Sequence, residues 1–473
     1  MKNNYKYILL AVAAFLASCS KDFLNEEPST TVSVETAINT ENDMLDATNG
    51  LYIAMRGSSF LGRDAAVLGD LLADNTYLSA SNSGRFVTQN NYTFLATTSE
   101  PANIWSQGYY SILQANRIIG TNLTASDNVK QLKGEAYALR ALAYLTLVNY
   151  FGTPYNVNPA AAGVPIVTIS THITGAYTKP ARNTVAEVYS KIISDLDSAY
   201  LLMPTTTSIH TQSSNYITKY AAKAIESRAY LYKGDYANAR DAALLVVNNG
   251  GYSLASGATY WAASAAITNK VETILEFNAT SSSNNGTNSL DYIYNQIGYG
   301  DLLVTDETYG LYTASDWRRS VITTATRASN SVYVVNKYQN VASASDRDEI
   351  KVIRYAEVLL TLAESYARLG DETNALVYLN RVAQSRDTSL AAYTYSGTTL
   401  INAILTERRK ELAFEGLRLF DLLRTNSVIS RQNMGVKAYS YYTTVAITDF
   451  RRLQPIPSAE VGANPNISQN QGY

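Results

Sequence analysis

The chain has 473 residues, 46% of them hydrophobic, and its 38 basic and 40 acidic side chains leave a net charge of −2. This length provides enough material for one large domain or two to three ordinary ones. The single cysteine excludes an intrachain disulfide and a cysteine-based zinc site, the two histidines exclude a His-rich metal site, and the near-neutral charge gives no electrostatic footprint for nucleic acid.

The first eighteen residues, 1–18, are predicted to be a signal peptide. An uninterrupted apolar run from Ile8 to Leu16 is too short to span a bilayer as a helix, which takes about 20 residues, and it fits a signal-peptide core. Two small residues then precede Cys19. This arrangement resembles the lipobox of bacterial lipoproteins, which implies cleavage after residue 18 and a lipid on Cys19. The alternative is an ordinary secretory signal with a cysteine at this position by chance.

The chain that follows is predicted to begin with a tether and to continue as helices. Residues 19–31 are polar and contain a proline, which is typical of a short linker. Between residues 129 and 151, apolar residues recur at steps of three and four, which predicts an amphipathic helix. Thr184 and Glu187 have the spacing of a capping box, which predicts that a helix begins there and continues to about residue 202.

Two later segments, 216–249 and 354–386, are both predicted to be a helix, a turn and a second helix. With a shift of 136 positions, five residues of the first segment recur in the second. These residues are Tyr230, Gly234, Asp235, Asn238 and Ala239, which correspond to Tyr366, Gly370, Asp371, Asn374 and Ala375. An aromatic residue, a glycine turn and a small residue in the next helix form the pattern of tetratricopeptide repeats.

The segment between these repeats, at about 250–345, is predicted to be a loop-rich insertion. Residues 278–300 have little charge and are rich in Ser, Asn and Gly, and then in Tyr. A similar polar stretch with aromatic residues lies at 75–92. Within the insertion, residues 332–338 have the composition of a strand.

The densest group of charges lies at 407–424. Paired carboxylates in this segment could indicate a glycosidase. We favour a structural interpretation, because opposite charges recur there at helical steps and can form salt bridges. Asp70 and Asp74 form another pair at helical spacing, and we expect them to lie on a polar helix face or to cap local backbone groups.

Several segments, in order along the chain, resemble the SusD/RagB family of surface lipoproteins of Bacteroidota. After the lipobox they are residues 132–141, 149–152, 353–360, 407–416, 455–457 and 469–473. The resemblance extends from Cys19 to Tyr473. It implies that residues 32–473 form one mainly α-helical domain, a platform of about four tetratricopeptide-like helix pairs with a loop-rich face and a few short strands.

The resemblance also implies a function. The protein should be lipid-anchored in the outer membrane and exposed at the cell surface, where it binds an oligosaccharide or other nutrient and delivers it to a partner TonB-dependent transporter. It implies no catalysis and no cofactor beyond the lipid on Cys19. Two further hypotheses stay open: a helical-repeat scaffold that binds no ligand, and a lipid-anchored glycan hydrolase.

The polar-aromatic stretches are the candidate binding surfaces. Sugar rings present flat C–H faces that pack on aromatic rings, while Asn, Asp and Arg reach the hydroxyl groups. The candidates are Tyr77, Arg85 and Phe86 in the first stretch, Asn288, Asp291, Tyr292, Tyr294 and Tyr299 in the second, and Trp317. Tyr292 and Tyr294 would present both rings on one face if their segment is extended. The alternative is that these rings anchor the loops to the platform.

Overall fold

The structure is a computed structural model. It describes residues 37–169, 178–210, 213–255, 257, 261, 269–341, 347–432, 434 and 438–473. The predicted signal peptide, Cys19 and the predicted tether lie outside the described residues.

Helices dominate the part of the chain that the structure describes. In chain order they are α1 Glu41–Arg56, α2 Asp64–Leu71, α3 Val87–Asn90, α4 Ser99–Ile119, α5 Asp127–Phe151, α6 Val185–Leu202, α7 Lys219–Lys233, α8 Tyr236–Asn249, α9 Leu290–Tyr294, α10 Asp306–Gly310, α11 Tyr355–Arg368, α12 Glu372–Arg386, α13 Gly397–Glu411, α14 Arg418–Arg424 and α15 Ser458–Ala463. Successive helices from α4 to α8 pack side by side, and α11 packs against α8, α12 and α13. This arrangement is the predicted helical platform.

Local signals in the sequence mark where the long helices begin and end. The Ser126 hydroxyl accepts from the backbone N–H of Val129 and caps α5, which ends at Phe151. At α6 the Thr184 hydroxyl accepts from the N–H of Glu187, whose carboxylate accepts from the Thr184 N–H at 2.7 Å. Both predicted helices are therefore confirmed, the second with its capping box. The prediction that α5 is amphipathic is wrong, because its residues are buried on nearly all faces of the helix.

The two predicted repeats have the same geometry. Gly234 and Gly370 end the first helix of each pair with left-handed φ angles of 77° and 85°, which glycine adopts without a steric cost. The next residue, Asp235 or Asp371, then caps the second helix by accepting from a backbone N–H three residues later. The identities at a shift of 136 positions thus mark a repeated helix-turn-helix unit.

Short strands form three small sheets in the described residues. The strands are β1 Thr76–Leu78, β2 Thr273–Phe277, β3 Leu302–Val304, β4 Ile322–Arg327, β5 Asn330–Val335, β6 Ile350–Arg354, β7 Ile429–Ser430 and β8 Thr444–Val445. The largest sheet has the order β1-β3-β5-β4, all antiparallel, and joins the first polar-aromatic stretch to the insertion. The predicted strand at 332–338 is thus found as β5, which ends at Val335.

The charged cluster at 407–424 has a structural role, as predicted, but most of its partners are distant in sequence. The carboxylate of Glu411 accepts from Arg318, Arg354 and Arg386, all of them almost completely buried. Glu272, immediately before β2, completes this network by accepting from Arg354 and Arg386. A salt bridge three residues apart also forms, between Asp421 and Arg424 at 2.8 Å.

The interpretation of Asp70 and Asp74 as a polar face or local caps is wrong, because both are buried. Asp70 accepts from the backbone N–H groups of Phe414 and Gly416, and burial raises its pKa to about 6. Asp74 forms a bidentate pair with Arg418 at 2.7 and 2.8 Å. The two carboxylates therefore attach α2 and the turn after it to the C-terminal segment.

Candidate ligand-binding site

The structure brings the two polar-aromatic stretches together at one end of the largest sheet. The guanidinium of Arg85 lies 3.8 Å from the ring centroid of Tyr299, and its Nη2 is 2.9 Å from the Tyr299 hydroxyl. Nearby, the carboxylate of Asp301 accepts from the Ser83 hydroxyl at 2.5 Å and from the Ser83 N–H at 3.0 Å. Two loops more than 200 residues apart thus form one surface.

The turn between β4 and β5 adds a second arginine to this surface. Arg327 donates to the Gln296 side-chain oxygen at 3.2 Å and to the Tyr299 carbonyl at 3.1 Å. It also donates to the carbonyl of Ser81 at 2.6 Å. Arg327 therefore bridges the same two loops that the Arg85–Tyr299 contact joins.

The ring of Tyr292 lies edge-on to that of Tyr299, with centroids 5.0 Å apart and planes at 80°. We call the five half-buried residues Arg85, Tyr292, Gln296, Tyr299 and Arg327 the Arg85–Tyr299 patch. Two partly accessible rings stand there beside two guanidinium groups and one amide. Rings can pack on the C–H faces of sugars and the polar groups can bond to hydroxyls, so the patch has the chemistry of a saccharide site.

Tyr292 and Tyr294 do not share a face. They lie in the helix α9, where residues two apart point in very different directions, so the expectation of an extended segment is wrong. Tyr294 is completely buried, stacks on Tyr338 with centroids 5.8 Å apart, and burial raises its pKa well above the usual range. Tyr294 therefore belongs to the core.

Tyr77 and Phe86 are also buried, so the expectation that they are exposed loop residues is wrong. Tyr77 is only 2% exposed because it lies in β1, paired with Leu303, and it packs beside Val332 and Val334. Burial raises the pKa of its hydroxyl to about 12. Phe86 is 3% exposed and belongs to the main hydrophobic core.

Three further candidates lie apart from the patch in their contacts. Asp291 is buried and forms a salt bridge with Arg347 at 2.7 Å, so it is not the exposed loop residue that we expected. Asn288 is exposed, and its side-chain oxygen accepts from Arg63 at 3.0 Å. Trp317 is half-buried, and its indole N–H donates to the Ser385 carbonyl at 3.2 Å. Asp291 and Trp317 thus follow the alternative in which loop residues anchor to the platform.

Some residues of this surface had no role in the sequence interpretation. Gln296 lies within the second stretch, and its side-chain amide could have identified it as a candidate. Arg327 lies at the end of β4 and outside both stretches in the sequence, so only the fold shows that it contacts them. A second group, also missed, consists of Tyr309 stacked on Tyr333 at 3.8 Å, with the Arg319 guanidinium 4.5 Å from the Tyr309 ring.

Within the described residues, no group of three or more His, Cys, Asp and Glu side chains could hold a metal ion. None of the described helices has both the length and the apolar content that crossing a membrane requires. The patch itself contains arginine, glutamine and tyrosine but no carboxylate, so the paired acids of a glycosidase are not part of it.

The described fold and the patch define a helical-repeat protein with a polar-aromatic surface. Residues 277–473 match the SusD family, and residues 22–231 match a family described as starch-binding and associating with the outer membrane. Two curated relatives from Formosa agariphila, SusD-like proteins P2 and P38, are 27% and 23% identical, and each alignment covers 99% of this chain and at least 98% of the relative.

Solved structures agree with these matches. A putative sugar-binding protein from Bacteroides vulgatus is 30% identical, with a TM-score of 0.83 over 93% of this chain and 100% of the other. A SusD superfamily protein from Bacteroides thetaiotaomicron is 29% identical, with a TM-score of 0.80 over 91% of this chain and 100% of the other. The chain belongs to the SusD/RagB family. Its members bind carbohydrates and are not enzymes.

Proposed function

We propose that the protein is an outer-membrane lipoprotein that binds an oligosaccharide at the Arg85–Tyr299 patch and delivers it to a TonB-dependent transporter. Family membership supports carbohydrate binding and association with the outer membrane. The observation that carries the location of the site is the contact between Arg85 and Tyr299, which joins two polar-aromatic loops into one surface.

The chemistry of the patch suits a neutral or weakly charged sugar chain. Tyr292 and Tyr299 keep part of their ring surface accessible, so the apolar face of a pyranose can pack against them. The amide of Gln296 and the guanidinium groups of Arg85 and Arg327 can donate to hydroxyl oxygens. Their mutual contacts fix the two loops before a ligand arrives, which lowers the entropy cost of binding.

Isothermal titration of the purified protein against a panel of polysaccharides tests the binding proposal. For a ligand found in this way, Tyr299→Ala and Tyr292→Ala should each weaken binding roughly 10-fold, about 1.4 kcal/mol. Tyr110→Ala is the matched control, because Tyr110 is 50% exposed and lies on α4, outside the patch. Unchanged affinity in both patch variants would place the ligand elsewhere. If no polysaccharide in the panel binds but the protein captures a transporter, the scaffold hypothesis is favoured.

The anchor and the partner are tested separately, in cells. Cys19→Ala should abolish lipid labelling and release the protein from the membrane fraction, whereas the patch variants should remain lipidated. Affinity capture of the native protein from detergent-solubilised outer membranes should recover a TonB-dependent transporter. Retention of Cys19→Ala in the membrane fraction would contradict the lipid anchor, and capture without a transporter would contradict delivery.

A further inference from the structure

A second polar groove follows one face of α1. Its wall is formed by Asn49, Tyr52, Ile53 and Arg56, whose spacing of three, one and three residues puts them on the same side of the helix. The opposite wall is formed by the last residue of β2 and the segment that follows it, residues 277–283. None of these residues belongs to the Arg85–Tyr299 patch, so the groove is a separate surface.

The cation in this groove has no carboxylate partner among the described residues. Arg56 is only 7% exposed, and its Nη1 donates to the carbonyl oxygens of Asn278 and Ser283. Its Nη2 donates to the Ser283 hydroxyl at 2.9 Å, and its Nε is buried with no hydrogen-bond partner. Burial lowers the pKa of Arg56. Dipoles alone therefore balance this charge, which leaves it suited to an anion.

Arg354 shows how a buried arginine of this chain is compensated where carboxylates lie close to it. Arg354 is completely buried and bonds to the carboxylates of Glu272, Glu411 and Glu415. Three carboxylates compensate one guanidinium there, whereas Arg56 forms no ion pair within the described residues and has only carbonyl and hydroxyl oxygens as acceptors.

The remaining groups of the groove can recognise a polyhydroxylated ligand. Within the described part of the chain, the side-chain amides of Asn49 and Asn278 make no hydrogen bond, so both are available to a ligand. Tyr216 closes one end, with its ring stacked on His210 at 3.6 Å and edge-on to Tyr52 at 5.3 Å. Ile53 is 55% exposed and borders the opening.

One carboxylate, Glu135, lies behind Tyr52, and its charge would repel an anion that came close. Glu135 is completely buried, and its oxygens accept from the Tyr52 hydroxyl and from Gln131, and contact the His210 ring nitrogen at 2.8 Å. None of these contacts involves Arg56. The carboxylate is thus engaged by Tyr52, Gln131 and His210, and Arg56, not Glu135, lines the groove.

We propose that this groove binds a sugar unit that carries a carboxylate or a sulfate. The acidic group would lie against the guanidinium of Arg56, and the amides of Asn49 and Asn278 would bond to the sugar hydroxyls. The sugar component follows the proposed function of the protein, whereas the acidic component rests on the groove alone. The proposal thus adds a second site, separate from the Arg85–Tyr299 patch, with a preference for acidic glycans.

Isothermal titration with sodium glucuronate, glucose 6-sulfate and glucose tests this proposal. The two acidic probes should bind, and glucose should bind at least about 10-fold more weakly. Ile53→Trp fills the groove from an exposed position without removing any bond of Arg56, and it should weaken binding of the acidic probes about 10-fold. Arg56→Gln should do the same, with its folding checked by thermal melting.

Each outcome supports or overturns the proposal. If Ile53→Trp binds the acidic probes as wild type does, the groove is not the site. If glucose binds as tightly as glucuronate, or if no acidic probe binds at millimolar concentration, the acidic preference is refuted. Tyr110→Ala, outside both surfaces, should leave binding of the acidic probes unchanged. If Tyr299→Ala weakens binding of the acidic probes and Ile53→Trp does not, the probes bind at the Arg85–Tyr299 patch and the groove proposal is overturned.

Discussion

Glu411→Gln is predicted to destabilise the protein strongly although Glu411 is far from solvent and outside the patch. Its carboxylate accepts hydrogen bonds from Arg318, Arg354 and Arg386 at 2.8 to 3.1 Å. Glutamine has nearly the same shape, but it removes the negative charge and turns one acceptor into a donor. Three buried guanidinium groups would then share fewer anionic partners, and an N–H of the glutamine amide would point at an N–H of a guanidinium group.

The size of the effect follows from the burial of these groups. Removal of one partner from a buried ion pair costs about 3–5 kcal/mol, because the remaining charge stays buried. Unfolding has an entropy of about 2.1 cal/mol/K per residue, so for the roughly 410 residues that the structure describes about 0.9 kcal/mol corresponds to 1 °C. Glu411→Gln should therefore lower the Tm by about 3–5 °C.

Differential scanning calorimetry measures this shift, with Asp127→Asn as the control. Asp127 also pairs with a cation, Lys130, but the two side chains are 80% and 44% exposed. Exposed pairs contribute at most about 1 kcal/mol, so the control should change the Tm by no more than about 1 °C. If both variants shift the Tm equally, the buried network has no special energetic role and the reasoning is refuted.

The same variant has a predicted pH dependence. Burial opposes ionisation of Glu411, but Arg386, Arg354 and Arg318 outweigh it and lower the pKa of the carboxyl well below its usual range. A lowered folded-state pKa gives stability that is present above the unfolded value, near 4.5, and that is lost as the pH falls. The Tm difference between wild type and Glu411→Gln should thus be constant from pH 8 to 5 and narrow in more acidic solution.

Four other substitutions test separate parts of the structure. Arg85→Ala should weaken glycan binding by titration calorimetry about as much as Tyr299→Ala, because it removes the contact between the two loops; full affinity would contradict this. Gly234→Ala and Gly370→Ala should each cost about 1 kcal/mol of unfolding free energy in urea, since both have left-handed φ and no atom within 4 Å of an added Cβ. An unchanged midpoint of urea unfolding in both variants would contradict that expectation. Burial raises the pKa of Asp70 to about 6, so folding favours the neutral form of this carboxyl group. The free energy of unfolding of wild type, relative to that of Asp70→Asn, should therefore fall by up to about 3 kcal/mol as the pH rises from 4 to 6. A difference that stays constant over this range would refute it.

The helical platform was predictable because its signals are local. A capping box, a glycine turn or an Asp cap needs only residues within four positions of one another, and Thr184, Gly234 and Asp371 are examples. Such residues accept hydrogen bonds from free backbone N–H groups or adopt a left-handed φ angle, and neither effect depends on contacts with distant parts of the chain. The sequence therefore predicted α6 and the second helix of each repeat with nearly correct bounds.

The burial of the candidate residues was not predictable from local patterns, because it depends on long-range pairing. Tyr77 resembles a loop residue until β1 pairs with β3, whose residues follow more than 200 positions later. Tyr294 stacks on Tyr338, a contact that composition does not encode. Polar surroundings in the sequence therefore did not show that Tyr77 lies in a strand and Tyr294 in a helix, or that both rings face the core.

The segment at 407–415 explains why the two loops of the patch have a defined position on the platform. Lys337 donates to the carbonyl of Ala413 and to the carboxylate of Glu415, and the Tyr338 hydroxyl donates to the carbonyl of Phe414. These contacts tie the strand region of the insertion to the end of α13. Because buried charges resist separation, the insertion is fixed where it leaves the platform, while its far end carries the Arg85–Tyr299 patch. The buried ion pairs therefore hold the insertion in place, and the patch combines two guanidinium groups with one amide and two tyrosine rings.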